Sequence, residues 1–196
     1  MPNVENKVKY GLSNVHYAVM TVAEDGAISF AAPKKYPGAV SLSLDAQGDQ
    51  SKFHADNVAY YVTFANDGYS GTLEAALVPD SFAVEVLKEK LDETAQVLTE
   101  DASAEGAAFA LLFQFEGDKH GTRHVLYNCT ASRPTVAGQT TTNTKEPATT
   151  PLSLVAAPMS NGLVKARTTA NTPDGVYQSW FSSVWQPAAA ASEGNS

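Results

Sequence analysis

The sequence predicts a mainly β fold with flanking α-helices, and three observations support this prediction. The stretch from Gly121 to Pro134 is long and alternates its side chains as a β-strand does. Most other periodic segments also repeat every two residues, and turn signals containing glycine separate several of them. Only two segments place apolar residues at helical spacing. Strands should therefore form the body of the protein.

The composition indicates one domain. The 196 residues suffice for a single core, so we predict one domain over residues 1–187 and a disordered tail over 188–196. Charged residues make up 17% of the chain, below the typical ~25%, which suits a surface partly covered by partners. No apolar signal core opens the sequence and no apolar run is long enough to span a membrane, so we expect neither a cleaved signal nor a spanning segment.

The charge balance of the chain disfavours binding to nucleic acid. The net charge is −8, and seven acidic residues lie between Glu85 and Glu105 beside only Lys88 and Lys90. Tight binding to DNA requires clustered lysine and arginine, so this balance disfavours it. The acidic run would suit a surface that DNA slides past without adhering, although solubility is its plainer interpretation. The single cysteine, Cys129, excludes an internal disulfide and is predicted to be a small buried hydrophobe in a protein that folds under reducing conditions.

The strands of the first half follow one another closely. Residues 16–23 and 28–31 flank Asp25-Gly26, a hairpin signature because glycine tolerates the positive φ of such turns. Residues 39–46 alternate cleanly, with Val40, Leu42 and Leu44 on one face. Residues 58–65 carry apolar or aromatic side chains on both faces, so both faces are expected to be covered. A turn at Asn66-Asp67-Gly68 leads into the next strand, over 69–77.

The second half completes the sheet. Residues 108–116 precede a turn into the long strand, where Val125, Tyr127, Cys129 and Ala131 are predicted to share one apolar face. Residues 151–157 and 163–169 are predicted to pair with each other. One helix is expected from Pro79-Asp80 to about Leu91. Another is expected from Pro173 to Trp185, with Thr172 as its N-cap.

Two long connections remain, over 47–57 and 137–150, and loops of this size are commonly functional or disordered. Neither contains a catalytic motif, and no phosphate loop or nucleophile motif occurs elsewhere. We therefore expect no catalytic residue, no metal ligand and no cofactor, and we predict that the protein is not an enzyme. His120 and His124 are four residues apart with Glu116 and Asp118 nearby, but the interval crosses a turn, so a metal site is disfavoured. Asp45, Asp49 and Asp56 do not have the spacing of a calcium loop.

Two functions remain open from the residues alone. A ligand-binding β-sandwich, of the carbohydrate-binding type, would need an exposed cluster such as the tyrosines Tyr60, Tyr61, Tyr69 and Tyr127. Alternating tyrosines in strands are more often cross-strand packing. A self-assembling structural protein would instead need exposed strand edges that neighbouring subunits cover. The low charge and the long loops favour assembly.

Five stretches of the chain resemble one family. Residues 7–18, 37–49, 60–80, 124–134 and 161–169 are similar, in matching order, to the major tail protein, or tail-tube protein, of long-tailed phages with non-contractile tails that infect Gram-positive bacteria. The resemblance covers the chain from about Lys7 to Trp185. It implies a β-sandwich or barrel-like tail-tube fold with a flanking helix. The short, low-complexity stretch beyond Trp185 departs from those tail proteins that carry an extra immunoglobulin-like domain, and we expect no such domain there.

The resemblance also implies a function and partners. Family members form hexameric rings that stack into a hollow tube around the tape-measure protein, between tail initiator and terminator proteins, and DNA later passes through the tube without specific binding. The protein would be made in the host cytoplasm and reside in the virion, with no membrane partner. The family has a long inter-strand loop where this chain has residues 47–57, which implies that Asp49, Lys52, Phe53 and His54 contact neighbouring subunits.

Overall fold

A computed structural model describes residues 5–55, 58–138, 140 and 148–188. Strands dominate, and each of the two α-helices is only six residues long. The elements in chain order are β1 Lys9–Val22, β2 Ile28–Phe30, β3 Lys34–Lys35, β4 Ala39–Gln47, β5 Gln50–Ala55, β6 Val58–Phe64, β7 Gly68–Ala75, α1 Asp80–Glu85, β8 Lys90–Asp92, β9 Val97–Thr99, β10 Phe109–Gly117, β11 Thr122–Ala131, β12 Thr150–Ala157, β13 Lys165–Arg167 and α2 Asp174–Ser179. The prediction of a mainly β fold is confirmed. None of the described helices is long and apolar enough to cross a bilayer.

One antiparallel sheet forms the body. Its strand order is β2-β1-β10-β11-β12-β7-β4, with β3 beside β1 and β13 beside β11. The strands β1 and β4 are five positions apart, which would separate them by about 24 Å in a flat sheet. Their Cα atoms nevertheless approach within 8 Å. The sheet therefore curls strongly, and its concave face encloses the larger core cluster, which includes Tyr17, Leu73 and Leu111.

The convex face is covered by the C-terminal segment. Trp180 follows α2 and is 3% exposed against Tyr127 and its neighbours. Arg123 on β11 fastens the segment, because its guanidinium lies 3.7 Å from the ring centre of Tyr177 and 5.0 Å from that of Phe181. The predicted second helix is shorter than expected, since α2 ends at Ser179. Its N-cap is Pro173 and not Thr172, whose hydroxyl instead accepts a hydrogen bond from the Thr169 N–H.

The long strand contains a β-bulge that the alternation did not predict. Phe109 pairs with Cys129, but Leu111 pairs with Leu126, so β11 contains one extra residue there. The predicted single apolar face is therefore wrong. Val125 and Tyr127 lie in the convex cluster, whereas Cys129 and Ala131 join the concave one. Cys129 is buried as predicted, and burial raises the pKa of its thiol to about 12.

Three other expectations need correction. The strands β12 and β13 do not pair with each other, because each pairs with a different part of β11. The first helix ends at Glu85 and not near Leu91: Lys88 has a φ of 64°, and residues 90–92 form a short strand against β9. The acidic run is thus partly a hairpin and not a helix face. Its carboxylates include three that form ion pairs, Glu85 with Lys34, Glu100 with Arg133 and Asp101 with Lys90.

The predicted β1–β2 hairpin is confirmed, with Gly26 at a φ of 81° in its turn. Most of the threonine-rich connection and the predicted disordered tail lie outside the described residues.

Candidate functional site

The most exposed apolar surface of the described chain is a two-stranded arm, which we define as residues 49–67. It consists of β5 and β6, which pair with each other in antiparallel register and with no other described strand. The predicted long loop is therefore largely a strand. The arm continues the β4–β7 pair beyond its end: Gln47 is opposite Gly68, and strand pairing resumes where the Ala65 N–H donates to the Asp49 carbonyl at 3.0 Å. The turn expected at residues 66–68 is thus the point where the arm rejoins the sheet.

Gly48 sets the direction in which the arm leaves the sheet. Its φ is 145°, in the range that favours glycine. A Cβ at this position would lie 2.0 Å from the carbonyl oxygen of Ala65, which is far too close for any side chain. Glycine is therefore required at position 48 for the two strand segments at the base of the arm to approach each other.

The arm exposes large apolar side chains that a free protein normally buries. Both faces of the arm contribute, because opposite residues such as Phe53 and Tyr61 share one face while Val62 and Phe64 lie on the other. The exposed fractions are 63% for Phe53, 60% for Val58, 75% for Tyr60, 62% for Tyr61, 42% for Val62 and 70% for Phe64. The prediction that both faces of this strand are covered is not met within the described chain.

The sequence-predicted contact residues all belong to the arm. Asp49 lies at its base, and Lys52 and Phe53 are exposed along β5. His54 is opposite Ala59 in the register, and its side chain lies outside what the structure describes. The sequence reasoning missed the larger part of the surface, which is on β6. The signal was present, since residues 58–64 carry apolar or aromatic side chains on both faces.

The arm has few charges. Residues 49–67 include only Asp49, Lys52, Asp56 and Asp67 as permanently charged residues. Its two outer backbone edges are unpaired among the described strands. It offers apolar contacts and strand edges, which are suited to binding protein.

The other candidate sites are dispersed. Glu116 accepts a hydrogen bond from Ser13 at 2.7 Å, Asp118 accepts one from the Lys7 N–H at 2.8 Å, and the His124 ring stacks on Phe113. Across the described residues, no three histidine, cysteine or acidic side chains lie close enough to hold a metal ion. The four tyrosines do not form one platform, because Tyr127 is buried whereas Tyr60 and Tyr61 are on the arm.

Comparisons with known proteins add no family. A scan against models of protein families finds no match, and a search of curated proteins finds none.

Proposed function

We propose that this protein is a structural virion protein, the major tail protein of a long, non-contractile-tailed phage of Gram-positive bacteria. In this proposal the chain self-assembles into stacked rings, hexameric as in the family it resembles, and the rings form the hollow tail tube. The role is structural and not enzymatic. The observation that carries the proposal is the arm, whose aromatic side chains are exposed on both faces.

The two-sided arm favours assembly with more than one neighbour. A two-stranded hairpin by itself is marginally stable in water, so an isolated arm gains little from its own pairing. If one neighbour covered Phe53 and Tyr61, the opposite face with Tyr60 and Phe64 would still be in water. Contacts within a ring and between rings would cover both faces. Where such an aromatic side chain is a hot spot of an interface, truncating it costs about 2–4 kcal/mol of binding free energy.

The remaining partners follow from the same proposal. The tube surrounds the tape-measure protein, growth starts at a tail initiator and stops at a terminator, and DNA passes through the lumen without specific binding. An acidic lumen would reduce adhesion of DNA. Assembly takes place in the host cytoplasm and the product resides in the virion.

Electron microscopy of the purified chain tests the proposal. We expect negatively stained samples, concentrated and incubated for days, to show rings or tubes of uniform diameter. The variant carrying Asp49→Ser, Lys52→Ser and Phe53→Ser should stay folded but assemble poorly. Leu77→Ser is a matched control, because Leu77 is 75% exposed outside the arm.

Two results would contradict separate parts of the proposal. Normal tube growth by the triple variant would show that these residues are not assembly contacts, although the chain still forms tubes. A wild-type chain that stays monomeric at every concentration would contradict unaided self-assembly.

A further inference from the structure

A cavity of about 230 Å³ opens on the concave side of the sheet, apart from the arm. Its walls come from strands far apart in the sequence: Leu42 and Leu44 on β4, Tyr69 on β7, and Phe113 and Phe115 on β10. The side chains of Leu42, Leu44 and Tyr69 are only half-buried there. The sheet's curvature has therefore formed a pocket with an aromatic and aliphatic wall that the core does not fill.

His124 places a polar ring in this wall. Its ring stacks on Phe113 with centroids 5.1 Å apart and planes 2° from parallel, and it meets the edge of Phe115 at 5.4 Å. The backbone carbonyl of His124 accepts a hydrogen bond from the Trp180 indole N–H, whereas its ring contacts are with the two phenylalanines. The ring is thus held in place by aromatic contacts, and it brings imidazole nitrogens, which can donate or accept hydrogen bonds, to the pocket lining.

Positive charges surround the same opening. The ammonium group of Lys9 lies 4.9 Å from the ring centre of Phe115, and that of Lys165 lies 4.3 Å from the ring centre of Tyr69. Lys165 also donates a hydrogen bond to the Tyr69 hydroxyl. Arg167 is a third cation close enough to act on His124.

These cations lack anionic partners. The ion pairs of the described chain involve other residues, so Lys9, Lys165 and Arg167 have no carboxylate partner there. The electrostatic interactions of His124 are all with cations. In a chain whose net charge is −8, this pocket is a local positive region. Its charge would stabilise a bound anion.

We propose that the pocket binds a small carboxylate attached to a flat apolar body. The body would lie against Phe113, Phe115 and Tyr69, while the carboxylate would accept hydrogen bonds from Lys9 and Lys165. A dry cavity of roughly 150 Å³ holds benzene in another protein, so the present volume fits a two-ring aromatic acid. This inference does not depend on tube assembly.

Titration calorimetry of the full-length chain with 2-naphthoate tests the proposal. We expect saturable binding to one site per chain, which weakens as salt screens the lysines. The neutral analogue naphthalene-2-methanol should bind at least roughly tenfold more weakly, because it lacks the charge-assisted hydrogen bonds. Failure to detect 2-naphthoate binding, or equal affinity for the two probes, would overturn the proposal.

Variants locate the site. Lys9→Met and Lys165→Met should each weaken 2-naphthoate binding by roughly tenfold, and His124→Phe should weaken it while keeping the ring stack. Lys119→Met is the matched control, because Lys119 is an exposed lysine outside the pocket lining. Unchanged melting temperatures would show that each variant is folded. Affinities equal to that of Lys119→Met in both lysine variants would place the ligand elsewhere and overturn the assignment.

Discussion

The ring of Phe113 stacks on the imidazole of His124, with centroids 5.1 Å apart and planes nearly parallel. The contact joins neighbouring strands of the sheet, because Phe113 and His124 are directly paired across β10 and β11. Burial, with the cations Arg167, Lys165 and Lys9, lowers the pKa of His124 to about 4. The folded protein therefore favours the neutral imidazole.

This contact predicts a pH dependence of stability. An unfolded histidine titrates near 6.5, so between pH 6.5 and about 4 the unfolded chain binds a proton that the folded chain does not. The free energy of unfolding should fall as the pH drops through this window. With allowance for solvent screening we expect a loss of about 1 kcal/mol, or about 3 °C in melting temperature. Thermal melts of wild type and His124→Phe at several pH values check this. The same change of melting temperature with pH in both proteins would contradict it.

Gly48→Ala should impair assembly without removing any apolar side chain. A Cβ at Gly48 would collide with the Ala65 carbonyl, so the base of the arm must shift and the arm must point elsewhere. The body should keep its melting temperature within a few degrees, because the strands of the arm pair only with each other among the described residues. Electron microscopy and thermal melts measure the two effects. Gly138→Ala is a control at an open position, and tubes as abundant as those of wild type would refute the role of Gly48.

Tyr36→Phe should leave stability unchanged or raise it by up to about 1 kcal/mol. Tyr36 is 2% exposed, and its hydroxyl has no hydrogen-bond partner in the described chain. Burial raises the pKa of this hydroxyl to about 12, so the phenol is neutral at ordinary pH. Removing the hydroxyl removes a desolvated group and keeps the edge-to-face contact of the ring with Phe82. Urea denaturation measures the change, and a loss above about 1 kcal/mol would reveal a partner for the hydroxyl.

Trp180→Ala should destabilise the protein by about 3–5 kcal/mol. Trp180 is 3% exposed, and its indole N–H donates to the His124 carbonyl at 3.3 Å. Trp185 stacks on it but is 38% exposed, so Trp185→Ala should cost distinctly less. Urea denaturation of both variants measures the difference. Equal losses would mean that Trp185 holds the C-terminal segment as strongly as Trp180 does, which would contradict the prediction.

Neutralising part of the acidic run tests the proposed lumen. Glu89, Glu93 and Glu105 form no ion pair within the described chain, so their change to glutamine should leave folding and tube assembly intact. If they line the channel, the neutralised wall repels DNA less strongly. DNA should then leave the particle more slowly. The DNA ejection rate of phage particles with this variant measures the effect. A rate equal to that of wild type would place these acids away from the lumen.

The sequence by itself determined most of the strands. Alternation is a local property, so the segments around Val40, Leu73 and Leu111 could be assigned from their own residues, and the hairpin at Gly26 followed from turn chemistry. The predicted burial of Cys129 is also confirmed, although Cys129 is buried in the concave cluster and not on the face of Val125 and Tyr127 that the alternation indicated. The residues named for assembly lie on the arm, although the sequence placed them in a loop.

The tertiary structure decided which strands pair and which side chains are buried, because both depend on contacts between residues distant in the chain. The bulge in β11 moves Cys129 to the opposite face from Tyr127, and only the register with β10 reveals it. The exposure of Tyr60 and Tyr61 reflects the departure of the arm at Gly48, which alternation cannot show. The pocket around His124 likewise exists because curvature brings β4 towards β1, strands that a flat sheet would hold far apart.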